Sequence, residues 1–365
     1  MKLLLTATSL FPSYGGPAFS VSRLALALAD CGVDVGLWAS DMSAAQTPLL
    51  SPHPRLRALT GSIAGAVERF GTPHIVHDNG IWLAHNHRIA ELAAQRNFPR
   101  LVSVRGMLEP WALNHKKLKK KLAWWIYQRR DLRRAVFHHA TAAVEAKNLK
   151  ALCLGVPVGV IPNGVELAAV DRQVRRSPAP RIALFVGRLH PVKGLSLLLQ
   201  AWAAVRPPGW RLHIAGPDEA GYRGALEREV AAANLVEVVR FLGPLDGEAK
   251  ERAFADAELF VLPSLSESFG VAVGEALARG LPVLTTTGVP WPMIATLGYG
   301  WIVPATPEGL AKGLGEATSL DLSALSAMGR KGRDFVQRDF AWPNIAKQFV
   351  SAYETLLASR RNTIS

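Results

Sequence analysis

Residues 2–39 read KLLLTATSLFPSYGGPAFSVSRLALALADCGVDVGLWA, and their pattern decides the fold class. Lys2–Ala7 is a short apolar run suited to a buried strand. Phe11–Pro17 follows as a turn containing Gly15 and Gly16. Ala18–Cys31 then sets Val21, Leu24, Leu28 and Cys31 at helical spacing, and Val33–Ala39 returns to a strand. Strand, glycine turn, helix, strand is the opening of a parallel sheet with helices on both faces.

The same alternation continues outward. Ile75–His77, Leu101–Val104 and Val136–Thr141 read as strands between helical stretches Asn86–Arg96 and Leu118–Arg134. Asp171–Pro180 carries charges and two prolines without an apolar period, which suits a linker. A second series follows at Ile182–Val186, Arg211–Ile214, Val238–Phe241, Leu259–Leu262 and Pro282–Thr285. The expected organisation is α/β: two Rossmann-like domains, 1–165 and 181–365, joined by 166–180 and facing across a cleft. The last helix is free to pack back on the first domain. The 365-residue length is comfortable for two such cores.

Composition narrows the function. Hydrophobic residues at 49% and charged residues at 19% exclude a disordered chain. Cys31 and Cys153 are too few for a disulfide framework or a four-cysteine zinc site. The apolar start stops at Thr6–Ser9, short of a secretory signal, and no run of about 18 apolar residues suggests a membrane span. A cytoplasmic protein is expected. Residues 1–165 hold 20 Lys/Arg against 9 Asp/Glu, whereas 166–365 hold 22 against 20. The positive excess therefore sits in the first half and points to an anionic partner. Neither half has the Gly-x-Gly-x-x-Gly of dinucleotide binding or a Walker phosphate loop.

Two stretches of the second half carry chemistry. Residues 263–276 (PSLSESFGVAVGEA) follow a strand and open a helix, with Ser268 expected as its N-cap. The N–H groups of Phe269, Gly270 and Val271 would then form an anion site. Glu267 before the helix and Glu275 within it would accept hydroxyl hydrogen bonds from one polyol ligand. In residues 186–194 (VGRLHPVKG), Arg188 leaves a strand and Lys193 opens the next helix. Both cations would reach one diphosphate.

These stretches resemble the retaining glycosyltransferases of family 4, which share the two-Rossmann GT-B fold. The matching segments are 161–166 (IPNGVE), 185–194 (FVGRLHPVKG), 213–217 (HIAGP), 241–243, 260–275 and 276–283 (ALARGLPV). The resemblance implies that Arg188 and Lys193 bind the diphosphate of a UDP- or GDP-sugar donor. It implies that Glu267 meets the sugar hydroxyls, Glu275 the ribose, and the backbone of Phe269 and Gly270 phosphate and sugar. Gly15 and Gly16 match the family's glycine pair near donor phosphate and acceptor. His77, in residues 77–82 (HDNGIW), matches its strand-end histidine segment. Where many members carry another histidine, this chain has 103–111 (SVRGMLEPW), so Arg105 takes that place, for instance by holding phosphate. That segment resembles a subgroup of bacterial polysaccharide transferases. Residues 288–291 (GVPW) lie in a donor-side loop, with Met293 near the position of a family glutamate.

No Asp-x-Asp metal motif appears, so no metal or other cofactor is expected, and Arg188 and Lys193 would stabilise the leaving diphosphate. The expected function is transfer of a hexose, with retention, to a lipid-linked glycan in bacterial surface-polysaccharide synthesis. A nucleotide-sugar epimerase of the same fold and a non-catalytic scaffold are the alternatives.

Residues 115–134 (HKKLKKKLAWWIYQRRDLRR) hold nine Lys/Arg against one Asp. Leu118, Leu122, Trp125 and Ile126 fall on one helical face. Such a helix suits the anionic inner face of the cytoplasmic membrane rather than nucleic acid. The competing expectation is that its apolar side packs on its own domain.

Overall fold

The computed structural model describes residues 1–109, 112–113, 117–167 and 180–364, with backbone only over 361–364. Pro110, Trp111, His115, Lys116 and residues 168–179 of the expected linker lie outside the described residues. The chain divides into two compact units, Met1–Gly164 with Trp342–Ser365, and Val165–Ala341.

The first unit is a seven-stranded parallel sheet of β1 (Lys2–Ala7), β2 (Asp34–Ala39), β3 (Leu56–Leu59), β4 (Ile75–Asn79), β5 (Arg100–Ser103), β6 (Phe137–Ala140) and β7 (Val158–Val160). Its spatial order is β3-β2-β1-β4-β5-β6-β7. Side chains of β1 alternate between two apolar layers. Leu3 and Leu5 join one core with Val21, Leu24, Phe349 and Tyr353, while Leu4 joins another with Trp38, Phe70 and Ile89. A central strand buried on both faces must be apolar at nearly every position. The helix Gly16–Asp30 begins with Pro17 in its first turn, where a missing N–H costs nothing.

The second unit has six parallel strands: β8 (Arg181–Val186), β9 (Trp210–Ala215), β10 (Val239–Gly243), β11 (Leu259–Leu262), β12 (Val283–Thr286) and β13 (Gly300–Val303). Their order is β10-β9-β8-β11-β12-β13. One continuous core, from Leu184 and Phe260 through Trp202 to Trp291, fills this unit.

The expected domain limits shift at both crossings. Val165 donates its N–H to Phe340 O at 2.8 Å and is buried in the second unit's core. The final helix, Trp342–Ile364, belongs to the first unit, where Ile345, Ala346, Phe349 and Tyr353 are buried. The expected second domain, 181–365, therefore ends at Ala341.

The single helix expected over Leu118–Arg134 is instead three pieces. An α-turn segment, Lys117–Ala123, passes into a π-helical stretch, Trp124–Gln128, and then into Arg129–Arg133. The wider π turn sends Trp124 inward against Trp82 while Trp125 and Ile126 both face out. Leu118 is 83% exposed, Leu122 63%, Trp125 70% and Ile126 63%. The apolar stripe is thus on the outside, and the side turned to the domain carries Gln128, Asp131 and Leu132. No described helix is long and apolar enough to cross a membrane.

Candidate functional site

Each sheet reverses its winding once. In the second unit the reversal lies between neighbours β8 and β11, and open α/β sheets bind ligands beyond the carboxyl ends of the strands at such a point. The loops leaving these two strands are Gly187–Gly194 and Pro263–Gly270, and they are clamped together. Leu265 N donates to Val192 O at 2.8 Å. A Cβ on Gly194 would lie 2.1 Å from Pro263 O, so this left-handed residue (φ 67°) permits an approach no other side chain allows. Glu267 N donates to Gly288 O at 3.0 Å, fixing the same loop from its other side.

The clamp brings Lys193 and Glu267 together. Lys193 Nζ donates to Glu267 Oε1 at 2.5 Å, with side-chain exposures of only 16% and 11%. Ser264 Oγ donates to the same oxygen at 2.7 Å. Glu275 accepts from Lys250 Nζ at 2.7 Å. Arg188, about half exposed, donates from Nη1 to Glu219 Oε2 at 2.5 Å. Every expected donor-side charge is therefore held by an opposite charge. The partners Lys250 and Glu219 carry no linear signal, because they come from a neighbouring helix and from the loop after β9.

The helix start differs from the expected one. Gly270, at φ 80° and ψ 57°, is the N-cap, and the helix is Val271–Ala278. Ser268 does not cap it, since the left-handed turn at Gly270 intervenes. The first-turn donors are Val271 and Ala272, while Val273 N–H is used on Gly270 O at 2.9 Å. Phe269 is a core residue, 3% exposed, and its carbonyl accepts from Trp291 Nε1 at 2.6 Å. Its expected contribution to ligand binding is thus limited to backbone. Val289 and Trp291 of the 288–291 loop are buried as well, so these side chains support the Phe269 turn. Lys193 closes a 3-10 turn, Pro191–Lys193, one residue before Gly194 caps the helix Leu195–Val205.

In the first unit the reversal lies between β1 and β4. Gly15 follows β1 at φ 83° and ψ −150°, a region open essentially to glycine, and Gly16 is the first residue of the helix. Arg105, just past β5, sits at φ 53°. A non-glycine residue there stores strain that surrounding contacts must hold in place. Its Nε and Nη2 donate to Asn79 Oδ1 at 3.0 and 2.6 Å, and Nη1 donates to Asn163 Oδ1 at 2.7 Å and Ser20 Oγ at 3.2 Å. All these acceptors are neutral. Burial pulls the guanidinium down to about 10, with the nearby Glu145 carboxylate opposing that, so Arg105 stays charged at neutral pH. A small pocket lined by Thr8, Ser9, Tyr14, Asn79, Arg105 and Met107 opens beside it.

His77 stands elsewhere. It is fully buried, with Nδ1 2.7 Å from Tyr353 Oη and Nε2 2.6 Å from Ser103 Oγ. Ser103 Oγ lies 2.6 Å from His139 Nδ1, and His139 Nε2 2.7 Å from Ile161 O. A carbonyl only accepts, which assigns every proton. His139 Nε2–H donates to Ile161, Ser103 O–H to His139, His77 Nε2–H to Ser103, and Tyr353 O–H to His77. Burial, then His139 and Arg105, hold His77 well below the usual imidazole range; burial and Arg105 pull His139 down to about 3. Both rings are neutral, with both nitrogens occupied. His77, expected to be catalytic, is fully buried within the first unit here, with both ring nitrogens in hydrogen bonds.

Among the described residues one group has ligand atoms close enough for a metal: His87, Glu91 and Asp131. Glu91 Oε1 already accepts from Arg130 and Arg134 at 2.8 and 2.9 Å, and His87 Nδ1 lies 2.7 Å from Asp131 Oδ2. Two arginines on the only glutamate make this an ion-pair network.

Comparison with known proteins was made on this basis. The family model of glycosyl transferases group 1 matches residues 169–335, and that of a glycosyl transferase 4-like domain matches residues 15–164. The D-inositol 3-phosphate glycosyltransferase of Actinosynnema mirum is 33% identical over 246 residues, 59% of this chain and 56% of that protein. The phosphatidyl-myo-inositol mannosyltransferase of Mycobacterium leprae is 32% identical over 225 residues, 56% of each chain. The putative colanic acid biosynthesis glycosyltransferase of Salmonella typhimurium is 28% identical over 225 residues, 58% of this chain and 54% of that protein. The chain spans about half the length of the curated relatives it matches. Among solved structures, the sucrose-phosphate synthase of Thermosynechococcus elongatus superposes with a TM-score of 0.81 at 23% identity, covering 98% of this chain and 100% of that one. An Anabaena protein, HepE, solved with UDP and glucose, gives 0.73 at 18% identity, covering 97% and 100%.

Proposed function

Because the chain belongs to the group 1 glycosyltransferases, with a 4-like first unit and the GT-B fold, we propose that it moves a hexose from a UDP- or GDP-sugar to a lipid-linked glycan, with retention. The observation that carries this reading is the Lys193–Glu267 pair at the β8/β11 reversal. When the sugar C1–O bond breaks, its electron pair leaves with the diphosphate and the sugar gains oxocarbenium character. Lys193 and Arg188 would stabilise that growing negative charge. Glu267 and Glu275 would accept hydroxyl hydrogen bonds of the sugar and ribose. The acceptor hydroxyl attacks from the face the diphosphate leaves, and its proton passes to a departing phosphate oxygen. Both acidic side chains already neutralise lysines, so the reaction is proposed to proceed without a divalent ion, and chelator should leave its rate unchanged.

The acceptor assignment rests on the outward stripe Leu118, Leu122, Trp125 and Ile126 flanked by exposed Lys117, Lys119 and Lys121. It supports peripheral docking on an anionic bilayer, at the inner face of the cytoplasmic membrane, where a lipid-carried glycan would be met. A phosphatidyl-myo-inositol mannosyltransferase and a putative colanic acid glycosyltransferase among the relatives agree with glycolipid or surface-polysaccharide synthesis.

Thermal unfolding with UDP, GDP, ADP and dTDP tests the donor. A nucleotide at 100 times its dissociation constant adds about 2.7 kcal/mol, so one base should stand out. No shift with any of the four, or release of free sugar without transfer when acceptor is supplied, would overturn the reading.

A further inference from the structure

A second pocket lies at the opposite end of the first unit's strands, at the amino ends of β5 and β6. It has a volume of about 230 Å³. Alanine side chains of the helix Ala84–Gln95, with Phe98 and Val136, make its apolar wall, and Arg100, Arg134, Arg360 and Asn97 supply its polar groups. The three guanidinium groups come from three separate elements: the first residue of β5, the turn before β6, and the final helix.

Their counter-charges do not balance. Arg100 Nη1 donates to buried Asp78 Oδ2 at 3.0 Å. Arg134 Nη1 donates to Glu91 Oε1 at 2.9 Å, but that oxygen also accepts from Arg130 at 2.8 Å. Arg360 Nη2 donates to Asn97 Oδ1, a neutral amide, and has no carboxylate partner among the described residues. Glu91 and Asp131 together answer Arg130 and Arg134, since Arg130 Nε also lies 3.8 Å from Asp131 Oδ1, and among the described residues Arg360 alone of the three pocket arginines has no carboxylate. Residue 97 holds that amide from a left-handed backbone, φ 55°, which asparagine tolerates better than most residues.

We propose that this pocket binds a small soluble phosphomonoester, its phosphate between Arg134 and Arg360 and its carbon skeleton on the alanine wall. Planar forks from two directions match phosphate oxygens, and Arg100 adds charge behind them. The volume admits a phosphate with a few attached carbons. None of the exposed large apolar side chains lines the pocket, which favours a soluble ligand over a lipid headgroup. The proposal goes beyond the glycosyl-transfer reading and uses none of its residues.

Inorganic phosphate is the probe, titrated calorimetrically into the full chain, with potassium chloride at matched ionic strength as the blank. Saturable binding is expected, weakened about tenfold by Arg360→Gln and by Arg134→Gln, the loss of one charge-assisted hydrogen bond. Lys193→Ala should leave this binding intact. Should Arg134→Gln unfold because Glu91 loses a partner, Arg360→Gln still reads the site, since its only partner among the described residues is neutral. Unweakened binding in Arg360→Gln, or loss confined to Lys193→Ala, would overturn the proposal and leave the donor reading standing. Vesicles of phosphatidic acid in phosphatidylcholine separate the two sources of phosphate. Equal sedimentation of Arg360→Gln and the unaltered protein is expected, and loss of vesicle binding without loss of phosphate binding would overturn the soluble assignment.

Discussion

The two sheet reversals present charge in opposite ways. In the second unit Lys193, Lys250 and Arg188 are each matched by a carboxylate, on loops that a few backbone contacts clamp. In the first unit Arg105 is partly buried among amide and hydroxyl oxygens, with strain in its own backbone. On the proposed donor reading, the pairs of the second unit would exchange partners when a ligand arrives. Among the described residues Arg105 has no bonded carboxylate, so on the same reading it would meet an anion without first breaking an ion pair. An ion pair that opens and a cation that waits are two routes to the same electrostatic end.

The largest effect should come from breaking a pair. Lys193→Ala removes the cation proposed to stabilise the departing diphosphate and leaves Glu267, only 11% exposed, without its lysine partner. Turnover should fall by roughly 10²–10³, read from steady-state kcat with saturating donor. Near-normal kcat would reduce the pair to a loop latch and dissolve the contrast.

Next in size is a stability effect confined to the first unit. His77 and His139 have folded values far below about 6.5, the usual unfolded one. The native state binds fewer protons, so their contribution is full above pH 6.5 and lost as pH falls toward the folded values. Each should cost about 1.4 kcal/mol by pH 5.5, on the order of 3 kcal/mol together. Chemical denaturation at pH 7.5 and 5.5 checks this. His139→Asn should flatten the slope; an unchanged slope would mean the relay does not hold the rings neutral.

Arg105→Lys sharpens the comparison from the other side. A point charge cannot satisfy Asn79, Asn163 and Ser20 at once, and kcat/KM should drop about 10–100-fold. A lysine that restores full activity would show that only charge matters there, as at Lys193.

The smallest effect lies on the first unit's exterior. Lys117, Lys119 and Lys121 changed to Glu should release the protein from anionic vesicles, while activity on a short soluble acceptor is kept. Lys120 is left out because its Nζ donates to Ala112 O at 2.5 Å. Binding of the unaltered protein should fade as salt rises and the Debye length shrinks from ~10 Å to ~3 Å. Equal sedimentation of both proteins would refute the docking.

What could be read in advance followed from how the contacts are strung. Arg188, Lys193, Glu267 and Glu275 lie in two contiguous loops leaving adjacent strands, so a linear pattern carries most of their geometry. Arg105 depends on Ser20, Asn79 and Asn163, and His77 on Ser103, His139 and Tyr353, contacts that exist only after folding. Burial of His77 could not be read in advance, because a strand-end histidine has one spelling whether it faces solvent or core. Strands were legible where both faces are covered. The three not anticipated, β3, β7 and β13, are all outermost in their sheets. Such strands are short and partly exposed, as the exposed Arg57 and Val160 show, and lose the apolar run that marks a central strand.

The return of Trp342–Ile364 to the first unit also sets an order of assembly. Tyr353 supplies the phenol that ends the histidine relay, and Phe349 and Ile345 complete the layer under Gly16–Asp30. The ribosome must make all of the second unit before it makes this helix. The first unit, although begun first, therefore waits with an open apolar face and an unterminated row of buried polar groups while its neighbour is synthesised. Nascent chains stopped at Ala341 should hold a protease-resistant second unit beside an incomplete first one.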